Sequence, residues 1–227
     1  PVITSGKWAD NIVDIHGDVG KKWLEQLPET ISVYANKWSL DILPPFEELS
    51  YNYVTPAITK NDVPVVLKAC VPDKEVICEI EALRVFNGNG ISRLLEADTG
   101  KGVMLLERLQ PGLFLSEIDD DEEITQCALS VMQRLCTPAP ANHKFKPVSE
   151  WASHSFSKIR ADFGGGYGPL PNNLIEVALN YCKELTNPPD EKMRIHGDFH
   201  PQNVVSSERD SWLAIDPKGV VGDPLYD

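Results

Sequence analysis

The chain contains no stretch of eighteen consecutive apolar residues, so nothing in it reads as a membrane span. It has no C-x-x-C pair, and its five cysteines (Cys70, Cys78, Cys127, Cys136, Cys182) are an odd number. That excludes a fully paired disulfide framework and a zinc ribbon; free, buried thiols in a reducing compartment are expected, with the cytoplasm as location. The opening PVITSGKWADNIVDIHGD lacks the basic-then-apolar design of a secretory signal. Basic residues are scarce: 21 Lys and Arg against 34 Asp and Glu give a net charge of −13, which argues against a nucleic-acid partner. No Walker-type phosphate loop occurs either. The glycines of Phe163–Gly168 are not followed by Lys-Ser or Lys-Thr, and Gly88-Asn89-Gly90 lacks a phosphate loop's context.

What is present is a soluble, globular composition, 42% hydrophobic and 24% charged, in 227 residues, enough for one large domain or two small ones. One run stands out: RIHGDFHPQNVVSSERDSWLAID, from Arg194 to Asp216. Asn203 follows Asp198 by five positions, and Asp216 ends a second apolar run. Phosphoryl transfer needs a carboxylate to orient the attacking hydroxyl, and oxygen ligands to hold Mg²⁺ on the phosphates of ATP. Asp198 fits the base, with Asn203 and Asp216 as metal ligands; the spacing is that of H-R-D-x-x-x-x-N followed by a later D-F-G aspartate. Val204-Val205 and Leu213-Ala214-Ile215, separated by the turn-rich Ser206–Asp210, predict a hairpin that brings Asn203 and Asp216 together. Read singly, each of these residues is an ordinary turn or cap residue; the combination of offsets and flanking strands is what points to chemistry.

Elsewhere, helical spacing runs from Gly20 to Leu40, and Pro28 is expected to end or kink the helix there. His16-Gly17-Asp18 repeats the HGD triplet, but Trp23 stands five after Asp18, so it reads as a helix-capping turn. Glu48–Ile58 and Val63–Val71 predict two strands joined by a turn at Lys60–Asp62. Lys74–Phe86 predicts a helix with Ile77, Ile80, Leu83, Val85 and Phe86 inward, stopped at Asn87–Gly90 by a glycine in the left-handed conformation. Strands at Ile91–Glu96 and Val103–Leu109 follow, then a break at Pro111-Gly112. Helices are expected over Asp121–Leu135, Val148–Ala161 and Asn173–Leu185. The acidic Glu117–Glu123 reads first as a solvated helix start, and the negative charge as solubility; it also suits a cationic substrate. The order predicts an α+β, two-lobed kinase-like fold: a nucleotide-binding lobe 1–111, with a helical extension over 1–45, and a catalytic lobe 112–227. Nucleotide is expected between the lobes.

Lys68 lies in an apolar strand, an expensive place for a charge without a partner. ATP phosphate and a helix glutamate would supply partners; the bland alternative is an edge lysine with its head in water. The glutamate is Glu79 or Glu81, which point to different helix faces. Backbone groups of Glu107, Arg108 and Leu109 are expected to meet the adenine edge. The G-x-G-x-x-G loop of protein kinases is missing; Ser50 or backbone amides within Glu48–Val54 would have to cover the phosphates.

With these residues in place, the chain resembles the aminoglycoside phosphotransferase family, more narrowly its streptomycin 6-kinase and hydroxyurea kinase branch. HGDFHPQNV (196–204) matches the broad family, and IDPKGVVGDPLYD (215–227) the narrower branch. GKKWLEQLP, KWSL, GNGISRLLEADTGKGVMLLERLQPG and YGPLP agree, so the resemblance spans nearly the whole chain. It implies a protein-kinase-like fold moving the γ-phosphate of ATP, with Mg²⁺, to a hydroxyl of a small molecule. The acceptor is a cationic aminoglycoside, hydroxyurea or a metabolite; an inactive nucleotide-binding fragment is the alternative. By the same resemblance Asp198 is the base, Asn203 and Asp216 hold the metal, Lys68 anchors phosphate and Glu79 is its partner. His196 and His200 hold the loop, Asp223 is structural, and Lys218 approaches phosphate or packs. The family continues past the YD pair with helices that complete the acceptor pocket, so the catalytic lobe is expected to be truncated here. Oligomeric state is left open.

Overall fold

Apolar residues from Trp8 to Tyr34 recur at helical spacing and fold into α1 (Lys7–Trp38). The structure is a computed structural model and describes residues 2, 4–47, 49–141, 143, 145–185 and 193–227. Pro28 does not end α1. It sits inside the helix, and the one non-helical residue is Gly17, with φ 57° and ψ −136°. An internal proline costs about 3 kcal/mol. Leu24, Leu27 and Ile31, all buried around it, each gain about 1.5–3 kcal/mol from burial, so packing overrides the local preference. Gly17, the middle of His16-Gly17-Asp18, is where the chain turns, because it alone can take that positive φ without strain.

The strands β1 (Leu40–Ile42), β2 (Tyr53–Thr59), β3 (Pro64–Ala69), β4 (Leu94–Asp98) and β5 (Val103–Glu107) form one sheet. Its order is β1-β2-β3-β5-β4, with each neighbouring pair antiparallel. One face packs on α1: Trp8, Trp23, Leu27 and Ile31 meet Tyr53, Leu67 and Val103 in a shared core. The turn between β2 and β3 uses Asp62 at φ 58°, a left-handed conformation that Asp tolerates.

Helix α2 (Lys74–Phe86) follows β3. Asp73 caps its start, its side chain accepting from the Val76 N–H at 2.9 Å. The left-handed cap at its end is Asn87, φ 49°, rather than a glycine; its N–H donates to the Leu83 carbonyl, and Gly88 follows at φ 77°. Ile77, expected inward, is 44% exposed, while Val76, Glu79, Ile80, Ala82, Leu83 and Phe86 are buried. The buried face is thus rotated toward Glu79.

At Pro111-Gly112, where a break was expected, the chain instead forms the short strand β6 (Pro111–Phe114). Helix α3 (Asp121–Leu135) then begins with Asp120, whose carboxylate accepts from the Glu122 and Glu123 N–H groups. The acidic run therefore serves as cap and first turn, where negative charge suits the helix dipole. After β7 (Thr137–Pro138) and β8 (Lys146–Pro147) come α4 (Val148–Asp162) and α5 (Asn172–Leu185). Strands β9 (Met193–Ile195), β10 (Val204–Ser207), β11 (Trp212–Ala214) and β12 (Val220–Gly222) complete the chain. One sheet has the order β11-β10-β6, and another β7-β9-β12-β8, with Val148, Ile195 and Val220 packed together beside the latter.

The chain divides into two compact units, Pro1–Leu113 with Ser206–Ser211, and Phe114–Val205 with Trp212–Asp227. Among the described residues no helix is long and apolar enough to cross a membrane. Cys70 is buried, Cys78, Cys127 and Cys136 are half-buried, and none of these four is in a disulfide; the Cys182 side chain lies outside the described residues.

Candidate active site

In the first unit, Lys68 on β3 is 2% exposed and Glu79 on α2 is 9% exposed. The Lys68 Nζ lies 2.7 Å from Glu79 Oε1. Of the two glutamates left open by the sequence, Glu81 lies on the outer face and pairs with Arg84 at 2.9 Å. The register explains the burial of Lys68. It is opposite Val54 on one side and Met104 on the other, in the middle of the sheet, so its ammonium has no route to water along an edge.

Ser50 lies in an exposed bend before β2, and Glu48 lies outside the described residues. Glu107 ends β5, but its groups are largely committed. Its N–H donates to the Arg93 carbonyl at 2.9 Å, and its carboxylate is paired with Arg209 at 2.8 Å. Arg108 and Leu109 run on from it, half-buried and outside any strand.

In the second unit, the loop after β9 carries Asp198. Its carboxylate is 44% exposed and faces two nitrogens at longer range: Lys218 Nζ at 3.8 Å and His200 Nε2 at 3.9 Å. His196 is fully buried. Its Nε2 lies 2.7 Å from the Ile215 carbonyl, and its Nδ1 accepts from the Asp198 N–H at 3.3 Å. Those two partners fix a neutral tautomer with the proton on Nε2, and burial lowers the imidazole pKa to about 4. The ring thus ties the strand before Asp216 to the backbone of Asp198.

Asn203 ends the helical turn Pro201–Asn203. Its Nδ2 donates to the Asp198 carbonyl at 2.9 Å and contacts His200 Nε2 at 3.1 Å. With the amide nitrogen so engaged, the Oδ1 is the end left to accept. The Ile215 N–H donates to the Asn203 carbonyl at 2.9 Å, which holds the base of the hairpin closed and sets Asp216 beside Asn203. Asp216 itself has φ 58°, a left-handed conformation uncommon outside glycine that costs of order 1 kcal/mol or more. A carboxylate and an amide oxygen are the hard donors Mg²⁺ takes, and Mg²⁺ characteristically uses one or two protein ligands with phosphate and water for the rest. The residues present fit that ion. Among the described residues no cluster of three His, Cys, Asp or Glu side chains suggests another metal.

Two features that brace the loop, Asp227 and Gly197, stand inside the quoted motifs, but their roles have no signature in the sequence. The Asp227 carboxylate accepts from the backbone N–H groups of His196 at 2.6 Å and Gly197 at 2.7 Å, and burial pushes its pKa upward. Gly197 has φ 84°, and a side chain there would meet Val220 Cγ2 at 2.5 Å. Asp223 caps the turn Pro224–Tyr226 through the Leu225 N–H. The Lys218 N–H donates to the His196 carbonyl at 2.8 Å, so this residue helps hold the loop through its backbone.

Solved structures share this fold. One is an aminoglycoside phosphotransferase in ternary complex with ADP and hygromycin B (TM-score 0.59, 14% identity, 86% of this chain and 73% of that one). Another is a choline kinase from Streptococcus pneumoniae (TM-score 0.60, 18% identity, 88% and 72%). The chain belongs to the aminoglycoside/hydroxyurea antibiotic resistance kinase family, which it matches over residues 48–227. It is similar to streptomycin 6-kinase of Streptomyces glaucescens, 29% identical over 211 residues, 93% of this chain and 68% of that protein. It is also similar to hydroxyurea phosphotransferase of Kitasatospora aureofaciens, 29% identical over 212 residues, 93% of this chain and 62% of that protein. Membership makes the chain a small-molecule kinase, an enzyme that takes its phosphoryl group from a nucleotide.

Proposed function

We propose that this chain is an ATP-dependent phosphotransferase whose acceptor is a hydroxyl of a cationic aminoglycoside of the streptomycin kind. Asp198 is the base: it takes the proton of the acceptor hydroxyl as that oxygen bonds to the γ-phosphorus. The bond from the γ-phosphorus to the β–γ bridging oxygen breaks, and ADP leaves. Lys68, held by Glu79, binds the ATP phosphates; Arg108 and Leu109 offer backbone groups to adenine; Ser50 lies on the segment that covers the phosphates. Asn203 and Asp216 would hold Mg²⁺, which neutralises phosphate charge when bound. The observation that carries this reading is the triple restraint on one loop. His196, Asn203 and Asp227 all bond the backbone of residues 196–198, leaving the Asp198 carboxylate half exposed.

The net charge of −13 favours a cationic acceptor, because a negative field raises the local concentration of cations. Hydroxyurea is a second reading, supported by the equal identity to a hydroxyurea phosphotransferase. Incubation with γ-labelled ATP, Mg²⁺ and streptomycin, hydroxyurea or a neutral polyol separates the two. Transfer to streptomycin supports the proposal, transfer only to hydroxyurea selects the second reading, and transfer to none refutes both. Asp198→Ala is expected to lower kcat about a hundredfold to ten-thousandfold with ATP affinity nearly unchanged. Unchanged turnover would falsify the assignment of the base.

A further inference from the structure

The tip of the catalytic hairpin, Ser206–Ser211, clusters with the first unit. There the Arg209 guanidinium makes a two-pronged pair with Glu107, Nε to Oε1 at 2.8 Å and Nη2 to Oε2 at 2.9 Å. The same side chain donates to the Gly88 carbonyl at 3.0 Å and the Ile91 carbonyl at 2.9 Å, and its Nη1 lies 3.7 Å from Asp210. It therefore makes four hydrogen bonds to the end of β5 and to the turn that follows α2. Its neighbour Glu208 reaches the same stretch from the other side, its N–H donating to the Gln110 carbonyl at 2.7 Å. Ser206 adds an Oγ that accepts from the Leu113 N–H at 2.9 Å. Arg108 and Leu109 are consequently a two-residue span pinned at both ends by one loop. The Glu107 carboxylate also accepts from the Arg93 N–H at 3.1 Å, so the fork holds an already networked group.

We infer that Arg209 is a positioning residue for the nucleotide base: it fixes Glu107 so that the backbone of Arg108–Leu109 is preformed to receive the adenine edge. This rests on the functional reading above, in which that span meets adenine. A span that must be ordered by the ligand binds more weakly than one ordered beforehand. A planar fork on a carboxylate and two carbonyls is a strong way to order it, one that lysine does not reproduce.

The test compares binding of adenosine, which has no phosphate, with binding of inorganic tripolyphosphate, which has no base. Both are titrated calorimetrically into the full chain and into Arg209→Met and Arg209→Lys. Adenosine affinity is expected to fall about tenfold in Arg209→Met and by an intermediate factor in Arg209→Lys, with tripolyphosphate affinity unchanged in both. If Arg209→Met does not fold, Arg209→Lys, which keeps the charge and the stem, decides alone. Unchanged adenosine affinity in a folded variant overturns the inference. So does an equal loss for both ligands, which would mark Arg209 as a general structural brace. A parent chain that binds neither ligand overturns the functional reading itself, and this inference with it.

Discussion

Replacing Lys68 by methionine keeps most of the stem and removes the ammonium, leaving Glu79 as a carboxylate only 9% exposed. At 2.7 Å and an effective dielectric of about 20, the attraction lost is about 6 kcal/mol. Bringing each ion out of water costs several kcal/mol, so the intact pair contributes little net stability. Breaking it is different: removing one partner of a buried pair costs about 3–5 kcal/mol, a drop in Tm of about 6–20 °C for a protein of this size. The double variant Lys68→Met/Glu79→Leu removes both charges and is expected to melt near the parent temperature. If the pair exists to hold phosphate, that stable double variant transfers none. Melting followed by circular dichroism and transfer of label from ATP give the two readouts. A Lys68→Met chain that melts with the parent would show that the pair is not buried as described. A double variant that turns over ATP at the parent rate would remove Lys68 from the site.

Two further outcomes concern the loop. His196 is buried neutral with its pKa lowered from 6.5 to about 4, so between these values the unfolded chain binds a proton that the folded chain does not. Its contribution, about 3 kcal/mol, is fully present above about pH 6.5 and is lost as pH falls toward 4. Asp227 has the opposite sign, because burial raises its pKa and the folded chain holds its proton more tightly. The clean measurement is therefore the difference in urea stability between the parent and His196→Gln from pH 4 to 7; a flat difference refutes the assignment. Asp227→Asn presents an amide where two N–H groups now meet a carboxylate. It is expected to cost about 1–3 kcal/mol in urea melts and to lower kcat more than it raises the KM for ATP. Parent values for both would show that the loop is held without it.

The nearness of Asp198, Asn203 and Asp216 was legible in sequence because a short turn and a hairpin set their spacing. Asn203 follows Asp198 closely enough for its amide to cap the Asp198 carbonyl, and Asp216 returns beside it on a hairpin. That geometry permits few other offsets. The bounds of α2 and α3 were equally readable, since Asp73 and Asp120 are local caps. Where the reading erred, tertiary packing had overridden a local rule. Pro28 stays in α1 because the residues around it are buried, and Ile77 points outward because the buried face of α2 includes Glu79, which pairs with Lys68. Pro111-Gly112 forms a strand because β10 offers its backbone an edge to pair with.

The braces were not readable, for a reason that follows from what they do. A metal ligand must be an oxygen at a set place, so both its type and its offset are constrained. A brace needs only to reach a backbone N–H or carbonyl, and it can come from any distance along the chain. Arg209 stands 102 residues from Glu107, and Asp227 stands 31 from His196, each with an ordinary turn-forming neighbourhood. Arg209 sits in a segment rich in turn formers, and Asp227 shares a motif with Asp223, which only caps its own turn. On the proposed reading, these residues decide whether Asp198 and the Arg108–Leu109 span hold still. A carboxylate displaced by about 1 Å loses about a hundredfold in rate, however well its identity and spacing are kept. On that reading, activity depends on contacts whose partners only the folded backbone brings together.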